Sequence, residues 1–280
     1  MTVNQLYRYG TDKLLDCDIE DAEFDARCLI ESVLNVDTTR FFLLRNDIVS
    51  EETINNYSCL VDRRVNGEPL QYILGIWEFM GNEFYVGPGV LIPRPETEGL
   101  VEFAVDYLRN IEKPVVIDLC SGSGCIAISI AKLIPEAKVY AVEKFDEAFG
   151  YLEKNIGLNS CNNVIAVKGD LFDKSLLREI KADLILSNPP YIRKDDISTL
   201  SVEVQNEPVT ALDGGCDGYD YYRFLSDYWL KDFLLNNSAM MIECGEDQGD
   251  YIAELFSHHS LKQEVKLDFN GLQRFVIAYK

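Results

Sequence analysis

Val115-Val-Ile-Asp-Leu-Cys-Ser-Gly-Ser-Gly124 is a short apolar run that stops in a glycine turn, and Lys138-Val-Tyr-Ala-Val-Glu143 is a second such run beyond an intervening helical stretch, Gly124 to Leu133. An apolar run, a glycine turn, a helix and a further apolar run describe one strand–helix–strand unit. The rhythm continues outward. Asp146 to Asn155 reads as a helix, Val164 to Lys168 and Ala182 to Ser187 as strands, Tyr219 to Leu235 as a helix and Ser238 to Cys244 as a strand. Asp247 to Ser257 reads as a helix, and Gln263 to Leu267 and Arg274 to Tyr279 close the series. Strands alternating with helices predict an α/β fold with an open, mostly parallel, doubly wound sheet. No internal repeat or low-complexity tract interrupts it.

Upstream the pattern changes. Residues 1–75 read as helical, with apolar positions recurring at three and four: Leu6, Leu14 and Leu15; Phe24, Cys28 and Val33; Ile54, Leu60 and Val61. Asp21 to Leu34 forms one amphipathic helix, and residues 51–66 another, ended by Gly67 and Pro69. Residues 76–92 carry Trp77, Phe79, Phe84, Tyr85 and Val86 around Gly81-Asn82 and Gly87-Pro88-Gly89, a β-hairpin connector. Pro93 and Pro95 followed by acidic residues start a helix that runs through Leu108. The expected organisation is therefore a helical domain (1–75), a hairpin linker (76–92) and an α/β domain (93–280).

The bulk numbers narrow the function. The chain of 280 residues is 47% apolar, enough for a packed core, which excludes wholesale disorder. It has 26 basic against 47 acidic residues, a net charge of −21. Such a surface repels phosphate, which argues against a large nucleic-acid footprint or stable nucleic-acid binding and suits a basic protein partner. Eight cysteines include no C-x-x-C pair, and the only histidines, His258 and His259, stand far from them in sequence, so no metal site is expected. The start contains Arg8 and no apolar run, and no stretch approaches the roughly 20 apolar residues of a membrane span. A cytoplasmic enzyme without membrane attachment is the expectation.

Two loops carry candidate chemistry. In Cys120-Ser121-Gly122-Ser123-Gly124 the glycines let the backbone lie close to a ligand at a helix N-terminus. Glu143 ends the next strand, where a carboxylate accepts from both hydroxyls of a ribose. These residues predict a nucleoside site without separating a dinucleotide from S-adenosylmethionine.

The second loop, Ser187-Asn188-Pro189-Pro190-Tyr191, follows the fourth strand of the series. Its prolines stiffen the chain and hold an amide, a free carbonyl and an aromatic ring in fixed relation. The Asn188 side-chain oxygen and the Pro189 carbonyl can accept the two N–H bonds of an –NH₂ group, while Tyr191 stacks on the planar group that bears it. A planar nitrogen is a poor nucleophile because its lone pair is delocalised. Two acceptors on its hydrogens raise its electron density and hold it in line with a methyl donor, so positioning and electrostatics supply the catalysis. This points to methylation of an amide or amino nitrogen.

With these motifs in order, the sequence resembles the protein-glutamine N5-methyltransferases that act on peptide chain release factors, the HemK/PrmC family. The resemblance runs from about Leu29 to Tyr279. It rests on Glu68-Pro-Leu-Gln-Tyr-Ile-Leu-Gly75, Leu91-Ile-Pro-Arg-Pro-Glu-Thr-Glu98, Asp118 to Gly124, Gly169-Asp-Leu-Phe172 and Ser187 to Ile192. Further motifs are Glu207-Pro208, Ala211 to Gly215, Asp217 to Arg223, Glu243-x-Gly245-x-x-Gln248 and Asp268-x-x-Gly271-x-x-Arg274. The resemblance implies a Rossmann-like seven-stranded S-adenosylmethionine-dependent methyltransferase domain, a helical N-terminal domain and a hairpin link. It implies methylation of the glutamine in a release factor's Gly-Gly-Gln loop. Cys120 to Gly124 would border the methionine and ribose parts of the donor, Glu143 would hold the ribose, and Asp170 and Leu171 would flank the adenine. Asn188, Pro189, Pro190 and Tyr191 would hold the substrate amide, with Asn188 also near the donor. The family often has glycine where this chain has Cys120 and aspartate where it has Glu143. Arg94-Pro-Glu-Thr-Glu98 matches the release-factor enzymes rather than the related enzymes acting on a ribosomal protein. The remaining alternatives are that ribosomal-protein activity, an N6-adenine nucleic-acid methyltransferase, which shares the Asn-Pro-Pro-Tyr loop, a non-catalytic binding module and a nicotinamide oxidoreductase.

Overall fold

The computed structural model describes residues 1–280 and divides into two compact units, Met1–Ile76 with Ser201–Asn206, and Trp77–Leu200 with Glu207–Lys280. The first unit is helical: Val3–Leu15, Ala22–Leu34, Thr38–Leu43, Glu51–Val65 and Leu70–Leu74. Its first helix opens on a capping box, in which the Thr2 hydroxyl accepts from the Gln5 amide and the Gln5 side chain accepts from the Thr2 amide. The core of this unit is Leu6, Leu14, Ala26, Leu29, Ile30, Tyr57 and Val61. Three helices meet at Tyr57, whose hydroxyl donates to the Ala26 carbonyl at 3.1 Å. A Cβ on Gly10 would lie 1.9 Å from that hydroxyl, so glycine there admits the ring. The buried stripe of the second helix differs from the expected one: Phe24 is exposed, as is Leu15 on the first helix, while Ala26, Leu29 and Ile30 are buried. Small alanines lie against the neighbouring helices, and the phenylalanine ring is left outside.

The segment 201–206 also belongs to this unit, although the sequence pattern assigns it to the α/β domain. Arg64, 5% exposed, donates to Asp25 at 2.6 Å and also pairs with Glu203, and Asn206 donates to the Gly67 carbonyl at 2.9 Å.

The second unit begins with a hairpin, β1 (Ile76–Phe79, whose first residue is shared with the helical unit) and β2 (Asn82–Tyr85). A seven-stranded sheet follows: β3 (Val115–Leu119), β4 (Lys138–Glu143), β5 (Val164–Lys168), β6 (Ala182–Ser187), β7 (Leu234–Glu243), β8 (Lys262–Leu267) and β9 (Gln273–Tyr279). Their order is β5-β4-β3-β6-β7-β9-β8; β3 to β7 run parallel and β9 is antiparallel to both β7 and β8. The expected α/β, Rossmann-like seven-stranded sheet is present. Alternate residues feed two layers, as the period of a strand requires. Val116, Val139, Leu184 and Met241 pack with the helices Glu98–Leu108 and Cys125–Leu133. Ile117, Val142, Ile185 and Met240 pack with Tyr222, Trp229, Ile252 and Phe256 on the other face. Both faces are covered, which is why these strands read as continuous apolar runs.

One element departs from expectation. In place of a helix from Tyr219 to Leu235, an α-turn at Asp220–Phe224 passes into a π-helical stretch at Leu225–Leu230, and β7 starts at Leu234 rather than Ser238. Leu234 pairs with Ala182, the register shifts, and regular pairing resumes at Leu184 with Ala239. Trp229-Leu230 and Phe233-Leu234 continue a spacing of four, so periodicity alone extends the helix. In space, Trp229 and Phe233 stack with ring centroids 4.2 Å apart, and the chain turns into the sheet there.

Candidate active site

The chain travels outward through β3, β4 and β5, then crosses back to place β6 on the other side of β3, where Leu119 pairs with Ser187. This reversal opens a crevice at the carboxyl ends of β3 and β6, the position where open α/β sheets bind ligands. A cleft of about 870 Å³, its open mouth included, fills it. The loops at 120–123 and 143–145, Gly169 to Leu171, Asn188 and Pro190 line it, closed by Leu91 to Thr97 on one side and Pro208 to Ala211 with Tyr221 on another.

The glycine turn is held by its own backbone. Ser121 N–H donates to the Val142 carbonyl, the Ser121 hydroxyl to the Asp118 carbonyl, and Gly124 N–H to the Ser121 carbonyl at 2.7 Å. Gly122 has φ +54° and faces open space, with the nearest atom to a hypothetical Cβ 4.0 Å away. Gly124, at φ +83°, turns away from the cleft, where a Cβ would meet Leu152 at 2.5 Å. Cys120 also has positive φ, +61°, a conformation that favours glycine, and burial holds its thiol protonated, far above its ordinary pKa. Behind the turn Asp118 is fully buried, neither carboxylate oxygen has a hydrogen-bond partner, and burial pushes its pKa up to about 7.

Glu143 is 6% exposed and clamps the turn. One carboxylate oxygen accepts from Gly122 N–H at 3.0 Å and the other from Phe145 N–H at 2.7 Å. Each oxygen keeps a further lone pair for a ligand hydroxyl. Burial raises its pKa against those two hydrogen bonds. At the far wall Asp170 accepts from Phe172 N–H at 3.0 Å and pairs with Lys144 at 2.9 Å. Leu171 is fixed by its carbonyl, which takes the Trp229 indole N–H at 2.9 Å.

Asn188 lines the cleft, and its amide nitrogen donates to the Thr97 hydroxyl at 3.3 Å. Thr97 in turn donates to Glu243 at 2.6 Å. Glu243 is 1% exposed, and burial pushes its pKa up to about 7 despite the Thr97 hydrogen bond and the nearby Arg274 charge. Pro190 lines the cleft as well, whereas Pro189 and Tyr191 do not. The Tyr191 ring packs against the apolar layer of Tyr222 and Trp229, and burial raises its pKa to about 12. The loop is stapled by Gln248, whose amide donates to the Tyr191 and Gly218 carbonyls and accepts from Gly245 N–H. Gly214 packs directly on Tyr191, where a Cβ would fall 2.8 Å from its Cα.

Comparisons with known proteins place the chain in a family. Residues 5–75 match the family model described as the PrmC N-terminal domain, and residues 108–210 match the TRM5/TYW2 methyltransferase domain. A release factor glutamine methyltransferase of Thermodesulfovibrio yellowstonii is 38% identical over 91% of this chain and 92% of its own. The chain belongs to the release factor glutamine methyltransferase family. A second family member, from Geobacter sulfurreducens, is 35% identical over 98% of this chain and 95% of its own. A crystal structure of a methyltransferase from Pyrococcus furiosus shares the fold, with a TM-score of 0.51 and 18% identity over 72% of this chain and 90% of its own.

In this family member several residues that shape the cleft carry no signal of that role in the sequence. Glu207, 4% exposed, accepts from Ile92 N–H at 3.0 Å and pairs with Arg94, joining two walls of the cleft. Asn155, fully buried, accepts from Tyr85 N–H at 2.7 Å and donates to the Ser123 carbonyl at 2.9 Å, tying β2 to the glycine turn. Thr97 and Glu243 stand inside quoted motifs, yet only the fold brings them to Asn188.

Proposed function

We infer that this methyltransferase uses S-adenosylmethionine to methylate the side-chain amide N5 of the glutamine in the Gly-Gly-Gln motif of a peptide chain release factor. The observation that carries the reading is the Asn188 amide, set on the wall of the cleft with its nitrogen turned to Thr97. Membership of the family supports the substrate.

The cleft fits the donor. Gly122 offers open space at the turn, and Glu143 keeps acceptor capacity for two ribose hydroxyls. Cys120 to Gly124, Glu143, Asp170 and Leu171 are the residues assigned to hold it, Gly124 by shaping the turn. When bound, S-adenosylmethionine supplies an electrophilic methyl on a sulfonium. The chain supplies the nucleophile's orientation. Asn188 Oδ1 and the Pro189 carbonyl accept the two N–H bonds of the glutamine amide, raising electron density on nitrogen and fixing its direction. Pro190 stiffens the loop, and the Tyr191 ring is assigned to the substrate side of the same loop, outside the donor cleft. The extra proton leaves nitrogen to solvent after methyl transfer, so no strong base is needed.

Replacing Asn188 by alanine tests the reading. Donor affinity is expected to stay within about twofold, while turnover on a purified release factor falls about 100-fold or more. Wild-type turnover in Asn188→Ala would remove Asn188 from the chemistry.

A further inference from the structure

A primary amide has two ends of opposite character, and they are nearly equal in shape. Only the oxygen end of Asn188 can accept from a glutamine –NH₂; the nitrogen end would present donor to donor. Something must therefore choose the rotamer. In the structure the choice is made behind the loop. The Asn188 nitrogen donates to Thr97 Oγ1 at 3.3 Å, and the Thr97 hydroxyl donates to Glu243 Oε2 at 2.6 Å. A carboxylate accepts only, so it commits the single hydroxyl proton of Thr97 to itself. Thr97 Oγ1 is then left as an acceptor, which only the nitrogen end of Asn188 satisfies. The Asn188 amide also faces the Glu243 carboxylate, which favours the same end. Thr97 and Glu243 are 2% and 1% exposed, so water does not compete for these bonds. Glu243 is itself held in place by the backbone, because its carbonyl takes the Tyr222 hydroxyl at 3.0 Å.

We propose that Glu243 and Thr97 form a positioning relay that fixes the polarity of the Asn188 amide, turning its oxygen toward the substrate nitrogen and so setting the enzyme's selectivity for an –NH₂ acceptor. Glu243 lies outside the cleft and Thr97 on its wall, and both act through Asn188. The proposal rests on the reading of Asn188 given above.

The test compares Thr97→Val, which keeps shape and removes the hydroxyl, with Thr97→Ser, which keeps the hydroxyl. Assays at pH 8 keep Glu243 ionised. Donor affinity, and kcat and KM on a purified release factor, are measured for each. In Thr97→Val, kcat is expected to fall about tenfold while donor affinity shifts by no more than about twofold, the loss of one orienting hydrogen bond beside the cleft. Thr97→Ser is expected to recover to within about threefold of wild type, because the relay is restored. Wild-type kcat in Thr97→Val overturns the relay, and so does an equal loss in both variants, which would mark a packing role for the side chain. The two readings fail separately. Asn188→Ala with wild-type turnover would sink the assignment of Asn188, whereas Asn188→Ala impaired and Thr97→Val unimpaired would sink the relay alone.

Discussion

Asp118, next to last in β3, is a fully buried carboxylate without a hydrogen-bond partner, and Glu243 ends β7 almost as deeply buried. Burial raises both to about 7. Folding therefore favours their protonated forms. That contribution is fully present below the ordinary carboxylate pKa and is lost as pH rises through about 7. Ionising Asp118 in the folded chain costs on the order of 4 kcal/mol relative to the unfolded chain. The thermal midpoint of the donor-free protein is expected to rise between pH 7.5 and 5.5, and Asp118→Asn is expected to flatten that rise. An identical pH dependence in wild type and Asp118→Asn would refute the assignment. Residues whose partners lie nearby in sequence were legible. Gly122 and Glu143 are 21 positions apart on consecutive strand ends, and they meet as the turn requires. Thr97 and Glu243 are separated by 146 positions and Arg94 and Glu207 by 113, so no spacing rule could pair them.

Elements set how rigidly those residues are presented. The Asn188–Tyr191 loop leaves β6 and is held from outside by Gln248, just before the helix Gly249–Ser257, and by the close approach of Gly214. Gln248→Ala leaves the Tyr191 carbonyl and Gly245 N–H unpartnered, at a cost of about 1–3 kcal/mol. Because the loop carries Asn188, turnover is expected to drop more than donor affinity. A loss confined to donor binding would show that the staple serves the glycine turn instead. The central strands β3, β4 and β6 were readable because they are covered on both faces and mostly apolar, whereas the edge strand β5 is half exposed. The helix expected to reach Leu235 was not readable, because Trp229, Leu230, Phe233 and Leu234 are spaced alike for a helix and for the turn that ends it. The same ambiguity concealed the shifted register of Leu234 on Ala182. The expected Phe24 stripe failed for a related reason: hydrophobicity marks an apolar side chain, whereas packing of Ala26 and Gly10 around Tyr57 depends on small size.

At the scale of the molecule, the family match over residues 5–75 lies in the helical unit, and the match over 108–210 lies in the α/β unit apart from the segment 201–206. The cleft lies wholly in the α/β unit. The helical unit carries a buried ion pair, Arg64 with Asp25, and gathers the segment 201–206 from the stretch that follows the Asn188 loop. The net charge of −21 disfavours a free nucleic-acid substrate and suits a basic protein one. The identity of the methylated atom decides the function. Labelled S-adenosylmethionine, the purified protein and a purified release factor should yield a single added methyl, located by peptide mass mapping on the glutamine of the Gly-Gly-Gln motif and absent when that glutamine is replaced. A methyl on another residue, or none despite bound donor, would contradict it.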